Sequence, residues 1–150
     1  MKIIPLTQGK TALVDDGDFE WLSQWKWHYG NGRAARKSSR LFGKEKNIMM
    51  HRVITGVSDG MQVDHINHDT LDNRRENLRI VTPSQNGMNR GVYSSNKLGV
   101  KGVTRHGSGF RAQVVVGGKL VYQKAFRTLQ EAKDAYEREA QKYHGEYFHP

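Results

Sequence analysis

The segment Val63-Asp64-His65-Ile66-Asn67-His68-Asp69, continued after Thr70 by Leu71-Asp72-Asn73-Arg74-Arg75-Glu76-Asn77-Leu78-Arg79-Ile80-Val81-Thr82-Pro83-Ser84-Gln85-Asn86, has a readable order of elements. Val63 opens an extended piece that delivers Asp64 and His65 side by side. His68 to Glu76 is too polar for anything but a loop, and Leu78 to Val81 reads as a second strand. Thr82, Pro83 and Gln85 then supply an N-cap, an N1 proline and a capping-box partner, which predicts a helix to about Arg90. Asn86 falls one turn inside it, on the face of Thr82 or Pro83, and is expected to point back across the hairpin. The expectation is strand, strand, helix, with polar groups converging between them.

That convergence suits phosphodiester hydrolysis. Breaking such a bond with water needs a base for the nucleophile and positive charge against the negative charge that develops on the phosphoryl and leaving oxygens. A neutral imidazole, with an ordinary pKa near 6.5, can be the base, which nominates His65. A hard divalent cation on one or two oxygen ligands can supply the charge, which nominates Asp64 and the side-chain carbonyl of Asn86. On spacing alone, Asp64 and His65 would serve equally well as turn caps.

The run from His51 to about Arg90 resembles the HNH endonucleases, especially the phage and intron homing branch, through Asp64-His65-Ile66, Asp72-Asn73-Arg74, Glu76-Asn77-Leu78-Arg79 and Thr82-Pro83-Ser84-Gln85-Asn86. The resemblance implies a ββα-metal fold and divalent-metal-dependent DNA cleavage. It implies His65 as general base, Asp64 as metal ligand, and Asn77 as the asparagine that tethers the loop and orients the histidine. Asn86 stands where many members have a histidine. An Asp, Asn and water shell suits Mg²⁺, with Mn²⁺ as the alternative. His51, in a His-Arg dipeptide expected to open a helix, takes a supporting rather than a catalytic part.

Upstream, Lys10 to Val14 reads as a strand, Asp18 to Gln24 as a short helix, and Trp25 to Tyr29 as an alternating strand. Asn31-Gly32 then signals a type I′ hairpin into Ala34-Ala35-Arg36. The N-terminus is therefore expected to be a small sheet, with Trp21, Trp25 and Trp27 as packing residues rather than a stacking platform. Arg33, Arg36, Lys37, Arg40, Lys44 and Lys46 face the single acid Glu45, and serve as a solvated loop or as phosphate contacts in equal measure.

Over the whole 150 residues, 24 Lys and Arg against 15 Asp and Glu give a formal charge of +9, which favours a polyanionic partner. There is no cysteine, so disulfides, thiolate nucleophiles and Cys-ligated metals are excluded. The apolar runs are far shorter than the roughly 20 residues that span a bilayer, and no signal-peptide h-region follows Met1-Lys2. The expectation is a cytosolic protein with no membrane association. The charge is uneven, because Gly87 to Gln130 carries eight Lys and Arg and no acid. Residues 91–99, polar and without periodicity, read as a linker between a 1–90 nuclease domain and a 100–150 domain.

In that last domain, Lys101 to Arg105 begins a strand and Phe110 to Val116 alternates. Gly117-Gly118-Lys119 turns the chain into Leu120 to Phe126, which completes a three-stranded antiparallel sheet. Thr128 with Glu131 is a capping box, and Ala132, Ala135, Tyr136, Ala140 and Tyr143 follow at helical spacing before Gly145. One helix would cover one sheet face and leave Arg111, Gln113, Tyr122 and Lys124 on the other, either as an ordinary soluble face or as a DNA-reading one. Lys101-Gly102-Val103, Gly109-Phe110-Arg111-Ala112, Ala125-Phe126-Arg127-Thr128, Glu131-Ala132, Ala135-Tyr136 and Tyr143-His144-Gly145 resemble the AP2/ERF DNA-binding domain. The resemblance implies Lys101, Thr104, Arg111, Gln113, Tyr122 and Lys124 as contacts, with Arg105 beside them. The fold class expected is α+β: a small N-terminal sheet with a ββα-metal nuclease, a linker, then an AP2-like β3α domain. The function expected is a monomeric endonuclease on double-stranded DNA, phage-encoded and needing no protein partner; the rival is a non-catalytic DNA-binding regulator that retains the scaffold.

Overall fold

The structure, a computed structural model, describes residues 1–38, 45–89, 91–92 and 95–148. Arg40, Lys44 and Arg90, named above on sequence grounds, lie outside these residues. The chain divides into two compact units, Met1–Thr82 and Pro83–Pro150. The division falls before the helix that begins at Pro83, whereas the composition change places it at residues 91–99.

In the first unit, β1 (Lys2–Pro5) pairs antiparallel with β2 (Thr11–Val14), and α1 (Asp16–Leu22) follows. A second sheet has the order β3 (His28–Gly30), β4 (Arg33–Lys37), β5 (Asn47–Met49). The single N-terminal sheet expected from sequence is thus two, because β1 and β5 lack the alternation that betrays a strand. Asn31 and Gly32 both have positive φ, 51° and 78°, as a type I′ turn requires. Then come α2 (Met50–Thr55), β6 (Gln62–His65) and β7 (Leu78–Val81), the last two paired antiparallel.

Residues from β1, β2, β4, β7, α1 and α2 pack into one apolar cluster. The core is Ile4, Ala12, Val14, Leu22, Trp27, Ala34, Met50, Ile54 and Leu78. Trp27 is buried and its Nε1 donates to the Leu22 carbonyl at 2.8 Å, so it packs as expected. Trp25 is partly exposed, with the Arg36 guanidinium 4.5 Å from its ring centroid. Arg75 joins the loop after β6 to α1: its Nε and Nη2 each donate to the buried Asp18 carboxylate at 2.8 Å.

The second unit holds α3 (Pro83–Asn89), a sheet in the order β10 (Lys119–Phe126), β9 (Gly109–Val116), β8 (Val103–His106), and α4 (Leu129–His144). The capping box forms as predicted: Thr128 Oγ1 accepts from the Glu131 amide and Glu131 Oε2 accepts from the Thr128 amide. Val103, Ala112, Val114, Ala132, Tyr136 and Ala140 make the core. Tyr143 is exposed and His144 buried, so the apolar stripe of α4 turns one residue past the expected end. No helix among the described residues is long and apolar enough to cross a membrane.

Candidate active site and sheet face

Strand β6 ends in Asp64 and His65, both buried. In the β6–β7 register Asp64 lies opposite Arg79 and His65 opposite Leu78. Arg79 donates through Nε at 2.8 Å to Asp64 Oδ2, and its Nη2 lies 2.7 Å from the same oxygen. Sequence alone does not nominate Arg79; only the register makes it the partner of Asp64.

The side chain of His65 has two neighbours of consequence. Its ring meets that of His51 edge to face, with centroids 5.2 Å apart and planes at 83°. The other is Asn73, a residue only 1% exposed. Burial lowers the His65 pKa below its ordinary 6.5; the Asn73 side chain and the charges of Asp64 and Asp69 oppose this, while Arg33 reinforces it. His51 is pushed further, to about 3, first by burial, then by His65, Arg33 and Arg52. Nδ1 of His51 is buried without a hydrogen-bond partner among the described residues. His51 sits in the first turn of α2, where the His-Arg dipeptide predicted a helix to open.

The loop between the strands is built of side-chain to backbone bonds. Asn77 Oδ1 accepts from the Asn67 amide at 2.9 Å and Asn77 Nδ2 donates to the Asp72 carbonyl at 2.8 Å, so Asn77 spans the loop from both sides. The side chain of this loop that acts on the His65 ring is that of Asn73. Asn73 is fixed by its own amide donating to the Leu13 carbonyl at 2.8 Å and its Nδ2 donating to the Leu71 carbonyl at 3.1 Å. Asp72 is gripped by Arg74 through Nε at 2.9 Å and Nη2 at 2.8 Å, a pairing that holds its carboxyl below the usual carboxylate range.

The predicted nuclease residues Asp64, His65, Asn77 and His51 all lie in the first unit, and the first three belong to one hairpin and its loop. Asn86 lies in α3, in the second unit. Among the described residues no cluster of three or more His, Asp or Glu could hold a metal by itself. The donor chemistry still fits a hard divalent ion, which takes one or two protein oxygens and completes its shell with water and phosphate oxygens.

A family described as HNH endonuclease matches residues 49–88. A protein of Acanthamoeba polyphaga mimivirus, named an uncharacterized HNH endonuclease, is 32% identical over 149 residues, which is 95% of this chain and 75% of that one. The chain belongs to the HNH endonuclease family. Protein 3.8 of Escherichia phage T7 is also similar, 32% identical over 72 residues, 46% of this chain and 60% of its own. No solved structure matches. Membership supports a nuclease, and HNH nucleases generally use a divalent metal. The matched segment runs from the end of β5 through α2 and the β6–β7 hairpin into α3, and so contains His51 and His65.

In the second unit the sheet divides the other candidates between its faces. Thr104 and Ala125 lie opposite Arg111, and Gln123 opposite Gln113, all on the face away from α4. Tyr122 lies opposite Val114 and Lys124 opposite Ala112, which places both on the α4 side, with Tyr122 packed against the core. This corrects the expectation that they share the open face. The cause is a register shift between Leu120 and Tyr122: regular pairing would set Tyr122 opposite Gln113, and one extra residue turns the rest of β10 over. Arg105, opposite Phe110, lies with its guanidinium 5.5 Å from that ring. Lys101 donates from Nζ to the Met88 carbonyl at 2.6 Å, and burial lowers its pKa. Arg111 and Gln113, with Thr104, thus remain on the open face. Nε of Arg111 is buried there without a hydrogen-bond partner among the described residues.

Proposed function

We propose that this HNH protein hydrolyses phosphodiester bonds in double-stranded DNA with a divalent metal, Mg²⁺ or Mn²⁺, and that the open face of the β8–β10 sheet directs it to DNA in the manner of an AP2-like domain. The observation that carries the reading is the end of β6, where consecutive residues supply a buried carboxylate and a buried, neutral imidazole within the family-matched segment.

His65 is the base. Its lowered pKa keeps it unprotonated near neutral pH, ready to accept a proton from an attacking water, and its contact with the His51 ring holds it in place. Asn77 keeps the intervening loop closed, so that His65 and Asn73 stay in register. Asp64 would be the carboxylate ligand of the metal; Asn86 as a second oxygen donor rests on the resemblance. When bound, the ion supplies positive charge to the phosphoryl group and the 3′ leaving oxygen. Arg79 holds the Asp64 carboxylate meanwhile, which offsets the cost of burying it.

The test uses the purified chain with Mg²⁺ on plasmid and on DNA of related genomes, scored as nicked against linear. The parent is expected to cut and His65→Ala to lose cutting while binding DNA almost as well. Equal cleavage by His65→Ala, or no cleavage by the parent on any DNA, would overturn the assignment.

A further inference from the structure

The cations around the candidate site are almost all committed. Arg79 is bonded to Asp64, Arg74 to Asp72 and Glu76, Arg75 to Asp18, and Arg52 donates from Nη1 to the Met61 carbonyl at 3.2 Å. Arg33 differs. It is exposed, and among the described residues it forms no ion pair.

Its place is nevertheless fixed. Arg33 is the first residue of β4, directly after the Asn31-Gly32 turn, and the Thr70 hydroxyl donates to the Gly32 carbonyl. Thr70 belongs to the loop that leaves His65, so this bond clips the β3–β4 turn to the site's own loop. On the other side β4 packs against α2, the helix that carries His51. Arg33 is thereby held beside the two edge-to-face imidazoles, near enough for its charge to act on both rings. The bond joins Thr70 to Gly32, 38 residues apart in sequence, and so fixes the backbone next to Arg33 against the site's loop.

We propose that Arg33 is the phosphate-binding cation of this site, its guanidinium engaging non-bridging oxygens of the phosphodiester that the His65-activated water attacks. The inference rests on the nuclease reading above and extends it: the N-terminal sheet supplies part of the active site. A guanidinium is always charged, presents a planar pair of donors that matches phosphate, and stabilises charge that grows in the transition state.

The experiment compares the parent with Arg33→Ala, Arg33→Lys and, as an equal loss of charge elsewhere on the first unit, Lys10→Ala. Single-turnover cleavage in Mg²⁺ and affinity for a short duplex in EDTA, over a series of salt concentrations, are both measured. Arg33→Ala is expected to slow cleavage by about 10²-fold or more, while the slope of log affinity against log salt falls by about one. Arg33→Lys should keep the salt slope and recover only part of the rate, because it loses the paired donors. Lys10→Ala should cleave like the parent. Arg33→Ala cleaving at the parent rate, or losing no more rate than Lys10→Ala, overturns the proposal. If the parent cuts no DNA, the nuclease reading fails separately, and the salt slope then judges Arg33: an unchanged slope in Arg33→Ala overturns the phosphate contact, and a slope reduced by about one supports it.

Discussion

Asp64 and His65 are adjacent in the chain yet occupy different chemical surroundings, because successive side chains of a strand leave on opposite sides. Asp64 meets a guanidinium; His65 meets a second imidazole and an amide and stays neutral. Two buried neutral histidines have a consequence for stability. In the unfolded chain His51 and His65 titrate near their ordinary 6.5, whereas the folded values are lower, about 3 for His51. Below 6.5 the unfolded state therefore binds more protons than the folded one, so stability is complete above that pH and is lost as pH falls toward the folded values. His144, also lowered by burial, acts in the same window. The urea midpoint is expected to drop between about pH 7 and about pH 4.5, and His51→Phe should make the drop shallower by removing the most strongly perturbed ring. An equally steep drop in His51→Phe would show that the ring is not held neutral. At this scale Asp64, His65 and Asn77 were legible in sequence, since motif and polarity mark them. Asn73 beside His65 and Arg79 as the partner of Asp64 were not, because Arg79 depends on the strand register and Asn73 on the course of the folded loop.

Among the elements, those with strong local signals formed where expected. Asn31-Gly32 turned, Thr82-Pro83 opened a helix, and Thr128 and Glu131 capped one. Strand β10 shows what local signals cannot carry: a single bulge after Leu120 reverses the faces of Tyr122 and Lys124, and nothing in the alternation of that segment announces it. Helix α4 depends on close approach as well as on its caps. Gly102 has φ of 66°, and a Cβ there would lie 2.0 Å from the Tyr136 ring, whose hydroxyl pKa burial has raised to about 12. Gly102→Ala must move the ring or the backbone and is expected to cost about 2 kcal/mol or more, against about 1 kcal/mol for loss of the cap in Thr128→Ala. Thermal unfolding of the two variants checks the order; a Gly102→Ala protein as stable as the parent would mean that the ring has room to shift.

Across the whole chain, charge and core divide along the same line. The residues up to Thr82 carry 13 Lys and Arg against 10 acids, those from Pro83 carry 11 against 5, and each unit has its own apolar cluster. The near balance of the first unit follows from its chemistry: Asp18, Asp64 and Asp72 are each consumed by an arginine, so the acids there build the site rather than repel a polyanion. Among the described residues of the second unit the ion pairs all lie within α4. Where Arg111 and Gln113 share an open sheet face, two side chains able to address guanine and adenine edges stand side by side. Replacing both with alanine should therefore weaken binding to a preferred sequence, by about 1 to 3 kcal/mol for each base edge that is no longer read, and affect nonspecific DNA far less. Under saturating DNA the single-turnover cleavage rate should stay near that of the parent, because His65, Asp64 and Arg33 are untouched. The pattern inverts that of His65→Ala, which should spare binding and lose chemistry. Equal weakening on every DNA would reduce the sheet to a simple electrostatic surface. A loss of rate that saturating DNA does not restore would place Arg111 or Gln113 in the chemistry itself.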